Sequence, residues 1–140
     1  MPDCPFCQIV AGQAPAALVF QDDQVMAFLD IAQSTHGHTL VIPRAHYADI
    51  FSLPKELGSH LFAVAMELAP RFQKRLGAEG LNLIQSNGRA ANQTVFHFHL
   101  HLVPRYAPTD FPLRWPNHSS AYSRSDLEAL ARLLRGESAP

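Results

Sequence analysis

A chain of 140 residues, 47% apolar and only 16% charged, has enough apolar material for a core of its own, which excludes a disordered or low-complexity protein. Its formal net charge of −1 provides no basic surface for nucleic acid, although a small anionic ligand needs only a few aimed donors. No apolar stretch approaches the ~20 residues that span a bilayer, and the N-terminus lacks the basic-then-apolar pattern of a secretion signal. The expectation is one cytoplasmic domain over 1–140, with no membrane partner.

In chain order, Cys4 to Gly12 (CPFCQIVAG) reads as a short helical turn closed by glycine. Two apolar runs, 17–21 and 25–29, flank Asp22 and Asp23 as a hairpin. His38 to Pro43 (HTLVIP) is strand-like. Ser52 is placed to cap a helix over 53–76 with an apolar stripe of Leu57, Leu61, Val64 and Leu68. Pro70 should kink or interrupt that helix, and Gly77 should end it. A fourth strand is expected over 80–85, a polar loop over 86–93, and a fifth strand over 94–103 stopped by Pro104. Residues 104–116 are proline-rich and read as irregular, and Ser125 with Glu128 forms the capping-box pattern of a last helix over 125–134. This order gives an α+β fold: an antiparallel five-stranded sheet with one long helix and shorter terminal helices. The core falls in 1–116, the final helix and tail in 117–140.

Strand alternation places Val95, His97, His99, His101 and Val103 on one face of the fifth strand. Phe96, Phe98, Leu100 and Leu102 take the other, an ordinary core face. Three imidazoles in strict alternation on a half-exposed strand call for a chemical reason. A single catalytic metal suits them poorly, since the α-carbons of His97 and His101 are ~13 Å apart on a strand. Phosphorus chemistry suits them better. An imidazole of pKa ~6.5 is substantially neutral near pH 7. With Nδ1–H held by a carbonyl, Nε2 becomes a nucleophile of fixed tautomer, and neighbouring histidines can bind phosphate oxygens or protonate a leaving group. A zinc hydrolase with metal-bound water is a competing reading.

Cys4 and Cys7 (CPFC) admit several roles. A redox pair normally follows a strand, a disulfide is disfavoured in a reducing compartment, and a zinc half-site needs two further ligands. Simple buried packing is the fourth.

The run VFHFHLHLV at 95–103 resembles the signature of the histidine-triad family. CPFCQIVAG at 4–12, AFLDI at 27–31, HTLVIPRAH at 38–46, SNG at 86–88 and QTV at 93–95 follow in that family's order. The resemblance therefore covers nearly the whole chain. It implies a nucleotide hydrolase or transferase in which His99 attacks the α-phosphorus of a purine nucleotide and expels an amine, a phosphate or a second nucleotide. Water then releases the nucleoside monophosphate. His97 positions the nucleophile through its carbonyl, His101 contacts phosphate oxygens, and His38 orients the triad.

By the same resemblance Ser86, Gln93 and Thr94 lie beside the phosphate, Asp30 accepts both ribose hydroxyls, and Phe6, Ile9, Phe28 and Ile31 sandwich the base. Asn92 stands where relatives carry glycine, a departure that bears on the phosphate loop. The resemblance further implies a structural zinc on Cys4, Cys7, His46 and His97, and magnesium with a polyphosphate substrate. It also implies a homodimer joined into one continuous sheet, with the segment around Trp115 aimed at the partner's site. Pro104, Arg105 and Tyr106 look like the dinucleoside polyphosphate hydrolase branch, while CPFC and FLDI equally suit the phosphoramidases. A nucleotide-binding scaffold with incidental turnover is the alternative from another class. His36, His60 and His118 match nothing in the family, and His60 on the long helix is expected to be a surface or partly buried residue without catalytic duty.

Overall fold

The computed structural model describes residues 3–137; residues 1–2 and 138–140, the outer limits of the expected domain, lie outside them. Helix α1 (Pro5–Val10) leads into the hairpin β1 (Leu18–Gln21) and β2 (Val25–Leu29), then β3 (Thr39–Pro43) and the long α2 (Lys55–Leu76). β4 (Gly80–Gln85), β5 (Leu100–Arg105) and α3 (Arg124–Leu134) follow. The strands form one antiparallel sheet in the order β1-β2-β3-β5-β4.

Alternation along the strands assigns each side chain to one of two layers. Val25, Ala27, Val41, Leu100 and Leu102 face the apolar stripe of α2, where Leu61, Val64, Ala65, Leu68 and Phe72 are buried. Met26, Phe28, Leu40 and Ile42 face the opposite way, onto Cys4 and Phe6 at α1. Each such buried side chain contributes ~1.5–3 kcal/mol. The sheet is thus covered on both faces near β2 and β3, and the triad emerges at the α1 side of that sandwich.

Four local expectations need correcting. Ser52 does not cap α2: its hydroxyl bonds to Asp49, and Pro54 occupies the N-cap without a side-chain bond. Pro70 does not interrupt α2. Its missing N–H costs ~3 kcal/mol, which the buried stripe on either side offsets. β5 starts at Leu100, because the chain bends before it and Phe98 N–H is drawn to Tyr47 O at 2.6 Å. It also runs through Pro104. Glu79 N–H bonds Arg105 O, so Arg105 faces β4 and Pro104 faces the β3 side, where pairing has ended at Leu102. The proline therefore removes no ladder bond. Finally, the box on α3 is Ser123 with Asp126: Asp126 N–H donates to Ser123 Oγ at 3.1 Å, and Ser123 N–H to Asp126 Oδ2 at 2.8 Å.

Gly77 does close α2, in the left-handed conformation at φ 73°. Beyond β5, Arg105 closes the irregular segment on itself. Its guanidinium reaches Asp110 and Asn82, each at 2.6 Å, and the carbonyls of Pro108 and Phe111. From residue 112 to 130 every side chain is exposed, and α3 buries none of its residues.

Candidate active site and metal cluster

The chain places two groups of ligating side chains back to back across His97. In the first, Cys4, Cys7, His46 and His97 bring their ligand atoms within 4.8 Å of one another. Cys4 Sγ lies 3.4 Å and Cys7 Sγ 3.6 Å from His97 Nδ1, while His46 Nδ1 lies 3.3 Å from Cys7 Sγ and 3.2 Å from His97 Nδ1. A tetrahedron built on zinc bonds of ~2.0–2.3 Å has edges of about 3.3–3.8 Å, which these separations fit. The ring of His97 is set for ligation: Nε2–H donates to Pro43 O at 2.8 Å, so Nδ1 holds the lone pair. Burial, and then the adjacent Cys4, push the Cys7 thiol up, a penalty that a bound cation cancels. Burial also drives His97 down to about 4, so it is neutral, as a ligand must be.

The second group is the rest of the triad. His99 Nδ1 sits 2.8 Å from His97 O. A carbonyl only accepts, so Nδ1 carries the hydrogen and Nε2 the lone pair. Contrary to the half-exposed strand expected, His99 is buried at 6% exposure, with the Phe6 ring edge-on at 5.2 Å. Its Nε2 is nonetheless open. Among the described residues Thr35 Oγ1 alone is a buried side-chain polar atom lacking a partner. Burial lowers the pKa of His99, against the raising effects of the His97 carbonyl and Asp30.

His38 fixes the tautomer of His101 by the same logic. Ser34 N–H donates to His38 Nδ1 at 3.3 Å, so His38 carries its hydrogen on Nε2, which points at His101 Nδ1 at 2.9 Å. His101 therefore presents Nε2–H outward. Burial first, then His99 and His38, hold its pKa down to about 4; burial lowers His38 as well. Near pH 7 the whole row is uncharged, with one open lone pair at His99 and one outward donor at His101. Asp30 completes the group, its Oδ2 3.7 Å from His38 Nε2 and its Oδ1 accepting Ala32 N–H at 2.8 Å.

Other expected site residues are arranged differently. Gln93 is buried and fully committed: Gly88 N–H donates to its Oε1 at 2.7 Å, and its Nε2 donates to Ala48 O at 2.7 Å and Val95 O at 3.1 Å. These bonds brace the loop between Gly88 and Val95 against Ala48. Phe6 and Phe28 pack on each other at 5.5 Å within the core, Ile9 is partly buried beside them, and Ile31 stands fully exposed. Ile31 is not packed against the other three. Ser86 is half-buried at the end of β4, and Thr94 is exposed beside the triad. Asn92 adopts φ 66°, the left-handed backbone that glycine adopts most easily, and is the only non-glycine to do so among the described residues. His60 bonds Asp22 at 2.6 Å, tying α2 to the hairpin turn.

Sequence reasoning passed over Gln33, Ser34 and Asn87. The last donates nothing to the triad, but its Oδ1 holds Ile50 N–H at 2.7 Å. The unusual density of polar residues between Asp30 and His38 was the available signal for the first two.

A profile of the HIT domain matches residues 11–108, the span that carries the sheet, α2 and the triad. The chain belongs to the HIT-domain family. It is 40% identical to Protein hit of Bacillus subtilis over 92% of this chain and 90% of that protein. The crystal structure of a HIT family protein from Bacillus anthracis superposes with a TM-score of 0.91 at 44% identity, covering 96% of each chain. A Zn-bound histidine triad family protein from Mycobacterium smegmatis matches with a TM-score of 0.76 at 39% identity, over 97% of this chain and 99% of that one. An adenylylsulfatase from Arabidopsis thaliana is 34% identical over 74% of this chain and 52% of its own length. The HIT fold here is that of nucleotide-binding hydrolases and transferases.

Proposed function

We propose that this HIT domain cleaves a P–N or P–O–P bond at the α-phosphate of an adenosine phosphoramidate or dinucleoside polyphosphate, through a nucleotidyl-histidine on His99. The observation that carries this reading is the tautomer lock on His99, whose Nδ1 is engaged by His97 O at 2.8 Å while Nε2 remains open. Nε2 donates its pair to phosphorus as the bond to the leaving nitrogen or oxygen breaks. That atom keeps the bonding pair and is protonated from solvent. His99 then carries positive charge, favoured by the carboxylate of Asp30 and by the bond from Nδ1–H to His97 O. His101, neutral, uses Nε2–H as a hydrogen-bond donor to the phosphate oxygens rather than as an acid. Water attacks phosphorus in the second step, the N–P pair returns to Nε2, the water's proton leaves to solvent, and the nucleoside monophosphate departs.

In this reading the unbonded lone pairs of Asp30 receive the ribose hydroxyls, and Ser86, Thr94 and the left-handed turn at Asn92 border the phosphate. Ile31 and Ile9 cover a purine against the edge of Phe6. Zinc on Cys4, Cys7, His46 and His97 fits the donor set, the edge lengths and the Zn-bound relative. It would clamp the backbone of His97, and with it the carbonyl that orients His99. Free thiols suit the reducing cytoplasm, and magnesium would accompany a polyphosphate substrate. A homodimer is part of the same reading: Leu127, Leu130 and Leu134 lie exposed at helical spacing on α3, and Trp115 is exposed before it. We treat 1–140 as one HIT domain whose 117–140 helix and tail serve that contact.

The test is parallel turnover of an adenosine 5′-phosphoramidate and a diadenosine polyphosphate, with kcat/KM for AMP release compared between them. Acid quenching during turnover should trap an acid-labile nucleotide on His99. His99→Asn should lose at least about a thousandfold in kcat while keeping the melting temperature. Undiminished turnover in that variant would overturn the proposal.

A further inference from the structure

Asp30 and His38 lie eight positions apart in the chain, yet one side chain ties the backbone of both. Gln33 donates from Nε2 to Asp30 O at 2.5 Å and to His38 O at 2.8 Å, and its Oε1 accepts Gly37 N–H at 2.8 Å. The neck of the loop is closed beneath it by Asp30 N–H on His38 O at 2.9 Å, and His38 N–H bonds Thr35 O at 3.1 Å. Both donors and one of the two acceptor sites of the Gln33 amide are directed inward, although the residue itself is exposed. An exposed amide gains little stability from such bonds, because water competes for them. What it gains here is geometry. Gln33 ties the backbone on both sides of the pair formed by Asp30 Oδ2 and His38 Nε2, which stand 3.7 Å apart.

We infer that Gln33 is a positioning residue that makes the enzyme selective for ribose: it holds the Asp30 carboxylate where the sugar hydroxyls arrive. The inference rests on the reading of Asp30 as the ribose acceptor and assigns a task to a residue outside that contact. Two other anchors hold the far side of the loop. Gly37 is pressed against Leu76, and Tyr106 Oη–H donates to His36 O at 2.6 Å, so loss of Gln33 loosens the Asp30 side first.

The consequence is specific to the sugar. A residue that merely stabilises the fold affects all substrates alike. A residue that aims Asp30 affects chiefly substrates with hydroxyls for Asp30 to meet, because the carboxylate's charge effect on His99 depends far less on its exact direction than a hydrogen bond does. The experiment is therefore a two-by-two comparison: wild type and Gln33→Met, each with an adenosine 5′-phosphoramidate and its 2′,3′-dideoxy counterpart. Methionine keeps the length of the side chain and none of the three bonds. For the ribonucleotide, kcat/KM should fall by about tenfold, chiefly in KM. For the dideoxy substrate the change should stay below about twofold, so that discrimination collapses. Gln33→Glu, which keeps the acceptor for Gly37 N–H and loses both donors, should behave like the methionine variant. Thermal melting of each variant checks the fold. Equal losses on both substrates, or unchanged discrimination, would overturn the inference while leaving His99 chemistry standing. If the wild type itself fails to distinguish the two sugars, the reading of Asp30 falls instead.

Discussion

The His38 ring determines which nitrogen of His101 carries hydrogen. With Ser34 N–H on its Nδ1, His38 can only donate from Nε2, and it does so into His101 Nδ1 at 2.9 Å. The outward donor of His101 is thus set by a backbone amide two residues removed in the hydrogen-bond chain. His38→Phe breaks this chain and frees His101 to flip tautomer. We expect kcat to fall roughly 10–100-fold with KM changed far less. Nitrogen NMR of His101 should show mixed tautomers in the variant and one in the wild type; a single unchanged tautomer would refute the argument.

Acid should destabilise the protein earlier than its carboxylates alone would. His101 titrates near 6.5 when unfolded and is held down to about 4 by burial when folded. Between these values the unfolded chain binds more protons, so stability is full above about pH 6.5 and is lost as pH falls toward 4. The contribution is roughly 3 kcal/mol at about 1.4 kcal/mol per pKa unit. Denaturant unfolding of metal-free protein across pH 7 to 4 measures it. His101→Gln should reduce the slope in that window without abolishing it, because buried His97 is held down to about 4 as well, and an unaltered slope would count against the burial argument.

Metal removal should act on stability and on catalysis together. Elemental analysis is expected to give one zinc per chain, and Cys4→Ser should cost ~2–5 kcal/mol of unfolding free energy while leaving far-ultraviolet circular dichroism near native. Because His97 lends its ring to the cluster and its carbonyl to His99, kcat should drop in the metal-depleted protein and recover on adding zinc. Full activity after chelation would separate the two roles.

At Asn92 the left-handed backbone should tolerate glycine and little else. Asn92→Gly is expected to be neutral within ~0.5 kcal/mol, whereas Asn92→Val should cost about 1–2 kcal/mol. Chemical denaturation of the two variants settles the difference. Equal stability would mean that the loop rearranges.

The parts legible in the sequence were those with a period or a covalent rule behind them. The β2 and β3 strands, the α2 stripe, the glycine stop at Gly77 and the alternation of Phe98, Leu100 and Leu102 with the histidines all follow from one-dimensional spacing, whereas Phe96, expected on the same core face, is 41% exposed because it precedes the start of β5. Proline misled where its environment was decisive: Pro104 reads as a strand end, yet the β3 side of β5 is already vacant there, so the missing donor costs nothing. Ser52 and Ser125 were plausible caps, and the choice went to Ser123 and an uncapped Pro54 through loop geometry beyond any local signal. The bonds of Gln93 and Gln33 were the least legible. A side-chain amide can bond in any direction, and only the folded loop shows that both are turned onto backbone carbonyls.

Gly37 meets the last turn of α2 so closely that a Cβ there would fall 2.6 Å from Leu76 Cδ1, at a backbone φ of 95°. The long helix consequently acts as a ruler for the loop that leads into His38. Its final leucine belongs to neither group of ligating side chains, yet it limits how closely the segment bearing His38 can approach the helix. Trimming or enlarging that side chain is a way to retune the chemistry from behind, leaving every polar group of the pocket in place.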